Sequence, residues 1–223
     1  MTSSSFKTAR IFGVLLLIVA VILLFVNTKP ENNLPQGFHT PIIALEFIQS
    51  PEEVSHFFEV KDVPKYEQDL LLGNQIDYLF MLLYSGLLFC IAVGIRKITH
   101  AGTMYLAMLF CVSMLVFDGL ENVQLYSIIK NYKAADITQN LELLNIFTWL
   151  KWSSIASTFL LISPFFFKGK IVHQIIGVLC IVCFGLCIAA FLHHGILNEI
   201  FASSVVIVFL LLVVFVFTYK IVE

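Results

Sequence analysis

The sequence predicts an all-α membrane protein. Six transmembrane helices form the bundle, and an extracytoplasmic segment of short amphipathic helices, 27–69, joins spans one and two. Three observations predict it. Only 13% of the 223 residues are charged and 59% are hydrophobic, against about 25% and 45–50% in soluble domains. Mean hydropathy is +0.94. Apolar runs at about 10–27, 71–95, 103–125, 146–167, 171–192 and 200–219 approach the roughly 20 residues that cross a bilayer core of about 30 Å. The whole of 1–223 reads as one integral membrane domain.

The first run, Ile11 to Val26, follows Lys7 and Arg10, as a signal peptide would. It ends in Leu24, Phe25, Val26 and Asn27 instead of the small residues a cleavage site needs, so an uncleaved anchor is expected. The segment that follows holds five of the six prolines and two helix starts. Thr40-Pro41 precedes Ile42 to Gln49. Ser50-Pro51-Glu52-Glu53 makes a capping box with Ser50 at the N-cap, Pro51 at N1 and Glu53 at N3. Ile42, Ile43, Leu45, Phe47, Ile48, Phe57 and Phe58 give these helices apolar surface that belongs on the membrane interface or on the roof of the bundle.

Short connections after spans two, four and five make neighbouring helices antiparallel. No repeat supports an inverted-repeat transporter. Gly177, Gly185 and Ala189 offer a close-packing stripe on span five. With the N-terminus inside, the inner flanks hold Lys7, Arg10, Arg96, Lys97, Lys168, Lys170 and Lys220, and Glu223 is the only acid among them. This bias predicts cytoplasmic N- and C-termini in the cell membrane. Lys130 and Lys133, after span three, dissent from it.

Helical rise of about 1.5 Å per residue gives depths. Asp118 falls about 24 Å above the inner boundary, Lys151 about 25 Å and Asp77 about 28 Å. Glu121 and Asn122 share the helix face of Asp118, one turn further out. The apolar part of span three, Met104 to Phe117, is too short to cross alone, so Asp118 belongs inside the membrane boundary. Lys151 is the natural partner for Asp118 or Asp77, and the surplus of acids leaves at least one protonated, metal-bound or open to water. Convergence of Asp77, Asp118 and Lys151 in a pocket beneath the outer cap is therefore expected. Two plainer readings stand beside it. Lys151, flanked by Trp149 and Trp152, can snorkel to the interface, or the polar groups can form a network that only fixes helix packing.

Other motifs are weaker. His193 and His194 end span five near the acids in depth and are weak metal candidates, with a solvated helix end as the alternative. Cys180, Cys183 and Cys187 follow helical spacing but read, with Cys90 and Cys111, as small buried residues. Ser153, Ser154, Ser157 and Thr158 read as helix-packing hydroxyls. No G-x-S-x-G, H-E-x-x-H, Walker or dinucleotide motif occurs, and no cofactor is indicated. The net charge of −2 and the absence of basic runs exclude a nucleic-acid partner.

The expected function is that of a binding or accessory membrane protein. Its outer-leaflet polar site, Asp77, Asp118, Glu121, Asn122 and Lys151, would meet a lipid or small molecule at the outer face. An intramembrane lipid-modifying enzyme, perhaps metal-dependent, is the alternative, and a small proton-coupled transporter is third.

Overall fold

The computed structural model describes residues 6–26, 34–134 and 136–219. Residues 27–33, which open the segment between the first two spans, lie outside it, as do the flank residues Lys220 and Glu223. Among the described residues the elements are α1 (Lys7–Val26), α2 (Pro41–Glu46), α3 (Pro51–Phe57), α4 (Val63–Thr99), α5 (Thr103–Asn131), α6 (Thr138–Phe166), α7 (Ile171–Leu192) and α8 (Ile196–Thr218). Six of them, all but α2 and α3, are long and apolar enough to cross a membrane. The protein is an all-helical six-span membrane bundle.

The spanning helices pack in the order α1, α4, α5, α6, α7, α8, and α8 returns to α1 to close the ring through its thinnest seam. Each neighbour is antiparallel to the last, as the short connections require. Three helices outrun their apolar runs. α4 has 37 residues, and α5 and α6 have 29 each. The extension of α4 starts at Asp62, whose carboxylate accepts the Lys65 N–H at 3.2 Å, an N-cap that satisfies an otherwise orphan donor. It stops at His100, held in the left-handed region at φ 55°.

Close approach between helices depends on two glycines. A Cβ on Gly86 would lie 2.3 Å from the Phe12 ring, so glycine makes room for α1 on α4. At Gly177 it would meet Phe167 and Ser163 O at 3.2 Å, which seats α7 on α6. Gly185 faces open space, so of the two glycines in the stripe expected on span five only Gly177 makes a close approach. The interior is aromatic: Trp152 meets Phe201, and Phe209 meets both Tyr84 and Phe159 edge-on.

One end of the ring is roofed and the other is open. Leu45, Phe47, Ile48, Val54, Phe57 and Phe58 are buried as a cap. This chooses the roof over the interface for the apolar surface of α2 and α3. Ser50 Oγ accepts the Glu53 N–H at 3.2 Å, while the Glu53 carboxylate takes Gln49 N–H at 2.8 Å. The capping box thus closes one residue earlier than its pattern suggests. The cap is tied to the start of α8. Glu199 Oε1 accepts the N–H groups of His39 and Thr40 at 2.9 and 2.8 Å, and Glu199 Oε2 accepts the Thr40 hydroxyl at 2.9 Å. Gly37, at φ 88°, lets the chain run so close to α8 that a Cβ there would lie 2.7 Å from Ile196 N.

Candidate functional site

Four elements converge under the cap. α2 ends at Glu46, whose carboxylate reaches down into the ring. α5 presents Asp118, Glu121 and Asn122 at the i, i+3, i+4 spacing of one helix face. α6 supplies Thr148, Lys151 and Trp152, and α4 supplies Asn74, Asp77 and Tyr84.

Lys151 is at the centre. Its Nζ donates to Glu121 Oε1 at 2.6 Å and to Glu46 Oε2 at 2.9 Å, and it lies 3.5 Å from Asp118 Oδ1. Exposure is 4% for Lys151, 3% for Asp118 and 1% for Glu121. Burial at this level removes the snorkelling alternative, since a snorkelling ammonium stays in water. Trp152 Nε1 donates to the same Glu46 oxygen at 3.0 Å, and Thr148 Oγ1 donates to the Glu46 carbonyl at 3.2 Å. On the far side, the Tyr84 hydroxyl donates to Asp118 Oδ2 at 2.5 Å.

Asp77 belongs to an adjoining branch. Asn122 Nδ2 donates to Asp77 Oδ2 at 2.7 Å, and Asn74 Nδ2 donates to the Asn122 carbonyl at 3.1 Å. Of the two acids the sequence pairs with Lys151, Asp118 is in ion-pair range at 3.5 Å, while Glu121 and Glu46 lie closer and Asp77 is bonded to Asn122 instead. The reason is the direction of side chains on helices, which lean toward the N-terminus. α6 descends from the capped end, so Lys151 leans up toward it. α5 ascends, so Glu121 leans down. The two meet within reach of Asp118, whose Oδ1 is 3.5 Å from the same ammonium.

The cluster has more acid than base. Glu46, Asp118 and Glu121 surround one ammonium, with Asp77 one residue away through Asn122. Burying several uncompensated charges would cost far more than a folded protein can sustain, so the group as a whole cannot be fully ionised. Burial holds Glu46 above its ordinary carboxyl range, with the Lys151 ammonium pulling the other way. Most polar atoms are satisfied, but Glu121 Oε2 and Asn74 Oδ1 are buried without a hydrogen-bond partner.

The polar atoms of the cluster are in direct contact with one another, and two cavities lie elsewhere. One cavity of about 380 Å³ opens between α4 and α5 at the capped end. Another of about 90 Å³ lies near Thr99 and Lys168 at the open end. Neither is lined by a residue of the cluster.

His193 and His194 do not join the acids. Both are exposed, and the His194 ring lies 5.2 Å from Phe38 and 6.5 Å from Phe47. Burial pulls the His194 imidazole below its ordinary range. Among the described residues no three His, Cys, Asp or Glu side chains are arranged to hold a metal ion. The five cysteines are free thiols, and Cys183 accepts a hydrogen bond from Ser204 at 3.3 Å. Ser154 and Thr158 spend their hydroxyls on carbonyls four residues back.

Depth along the spans could not find Glu46, because it lies outside them. Its signal was nevertheless present. It is the lone charge in the run Ile42 to Ile48, on a segment whose apolar surface has to be covered. Tyr84 gave no comparable signal, since a tyrosine in an apolar run reads equally as packing. Comparison of the chain with models of protein families, with curated proteins and with solved structures gave no match.

Proposed function

We propose that the protein is a ligand-binding or accessory protein of the cell membrane, with the capped end outside, both termini in the cytoplasm and the polar cluster as its ligand site. Glu46 is the observation that carries this reading. The carboxylate on the Lys151 ammonium and the Trp152 indole N–H comes from the cap and not from the bundle. When the cap lifts, both donors become free for a polar group of a ligand. Glu121 Oε2 adds an acceptor with no partner. The orientation is supported by the flanks, because Arg96 and Lys97 end α4 and Lys168 follows α6 at the open end.

The other readings receive less support. In a metal-dependent lipid-modifying enzyme the acids would face a metal, whereas here they face an ammonium. A proton-coupled transporter needs polar groups continuing to the open end. Past Tyr84 the buried interior is mostly apolar, with Leu87, Leu88, Ile91, Phe159 and Ile162, and its polar residues are the hydroxyls Ser85, Thr158 and Ser163, with no buried charged side chain among the described residues.

Native mass spectrometry of the purified protein tests the reading, repeated on Lys151→Met and Asp118→Asn. A species bound to the wild type and lost from both variants is the expected result. A wild type that carries nothing, with both variants folded, would overturn it.

A further inference from the structure

The end of α2 is held by the bundle in the way a small molecule would be. The protein atoms that grip Glu46 are all donors. Lys151 Nζ and Trp152 Nε1 converge on its Oε2 at 2.9 and 3.0 Å, and Thr148 Oγ1 reaches its carbonyl at 3.2 Å. All three donor residues are buried. An ammonium and an indole N–H taken this far from water are costly to leave without an acceptor. Glu46 therefore leaves only when another acceptor takes its place.

The chemistry of that replacement is narrow. An amine would set a second cation against Lys151 and turn N–H groups toward donors. A phosphate monoester would bring about two negative charges to an ammonium that Asp118 and Glu121 already outnumber. A carboxyl group exchanges like for like, with the same planar pair of oxygens and the same freedom to keep or release a proton.

The neighbour of Glu46 describes the rest of the molecule. Phe47 is buried, with its ring 5.1 Å from Trp149 and 6.4 Å from Trp152. Trp149 in turn meets Phe191 of α7 edge-on at 5.1 Å, and Phe191 is exposed on the outside of the ring. An aromatic path thus leads from the place of Phe47, past α6 and α7, to the lipid. Phe191, Ile188 and Ile181 continue it toward the open end on one exposed helix face. Lys151 and Trp149 lie about 25 and 28 Å from Lys168 by helical rise, near the edge of a hydrocarbon layer of about 30 Å. An amphiphile held here keeps its head at the membrane boundary and its tail among lipid chains.

We propose that the place of Glu46 and Phe47 is the binding site of a long-chain fatty acid. The carboxyl group takes the donors of Lys151 and Trp152, the chain takes the place of Phe47 and leaves past Trp149, and binding lifts the cap. This rests on the reading of the cluster as a ligand site and adds the class of ligand. Glu46 is then a built-in competitor, and apparent affinity is reduced by the fraction of time that it fills the site.

Palmitic acid, its methyl ester and hexadecanol, titrated separately into the purified full chain in detergent, decide it. Bound species are counted by native mass spectrometry. The wild type should prefer the acid by roughly tenfold, a difference of about 1.4 kcal/mol. Glu46→Ala should bind the acid several-fold tighter than the wild type, a gain that a merely structural role of Glu46 would not give. Trp152→Phe keeps an aromatic ring, loses the N–H, and should reduce the preference for the acid. Lys65→Gln, exposed at the same end and away from the cluster, should leave binding unchanged. In the wild type the acid, and neither neutral probe, should speed proteolysis within 38–48. Equal binding of the three probes, or no gain in Glu46→Ala, would overturn the proposal. If a species native to the purified protein is still lost from Lys151→Met and Asp118→Asn, the ligand site stands and the fatty acid falls. If nothing binds at all, both fall.

Discussion

Taking the Lys151 ammonium away leaves Glu46, Asp118 and Glu121 facing one another in a low-dielectric interior. Breaking a buried pair by deleting one partner costs about 3–5 kcal/mol, so Lys151→Met should lower stability by about that much in denaturant unfolding from mixed micelles. Lys151→Met combined with Glu121→Met should recover part of the loss, since an apolar pair strands one acid fewer. A double variant no more stable than the single one would show that Glu46 is the partner that matters. Glu46 makes a second, pH-dependent prediction. Its carboxyl is raised from the ordinary value of 4.5 by burial. A raised acid contributes stability that is complete below its unfolded value and is lost as pH rises through its folded value. The cap should therefore loosen as pH climbs above the ordinary carboxyl range. Glu46→Gln, which accepts the same hydrogen bonds and cannot ionise, should flatten that fall in hydrogen exchange corrected for intrinsic rates. The depth of Asp118 and Lys151 was legible because helical rise converts residue number directly into height. The choice of Glu121 over Asp77 was not, because it depends on the lean of two antiparallel helices. Glu46 escaped because a loop residue has no height until its loop is placed.

The two short helices of the cap illustrate what local signals can specify. Thr40-Pro41 and Ser50-Pro51 mark where α2 and α3 begin, through proline at the first helical position in both and a side-chain cap bond from Ser50 alone. What the pattern lacks is the hold on the cap, because that hold is made at a distance by Glu199. Three hydrogen bonds from His39 and Thr40 end on its carboxylate, and bonds to a charged group are each worth about 1.5–3 kcal/mol. Glu199→Ala should accordingly expose residues 38–48 to limited proteolysis while leaving the six spans protected. Gly37→Ala should release the same segment, because the positive φ and the contact with Ile196 both forbid a side chain. If either variant left cleavage unchanged, the bonds of Glu46 would suffice to hold the cap by themselves.

At the scale of the molecule, composition was enough to give six spans and their antiparallel order, since each span must be long and apolar whatever it packs against. Closure of the ring by α8 against α1 was not legible. Lipid-facing and protein-facing sides of a spanning helix are both apolar, so hydropathy carries no record of neighbours. The proposed orientation makes its own prediction. A membrane-impermeant maleimide should label Lys65→Cys in intact cells and Lys97→Cys only after permeabilisation. The reverse result would invert the topology. Finally, the linkage of the cap to the ring bears on the order of assembly. Glu46 precedes Lys151 by 105 residues, and Thr40 precedes Glu199 by 159. As the chain is made from its N-terminus, α2 emerges with neither anchor in existence. Its first partners arrive with α6, and its hold is complete only when α8 arrives. Full seating of the cap thus reports that α8 is in place, and a chain stalled before α8 should carry a cap whose residues 38–40 are undocked and open to proteases.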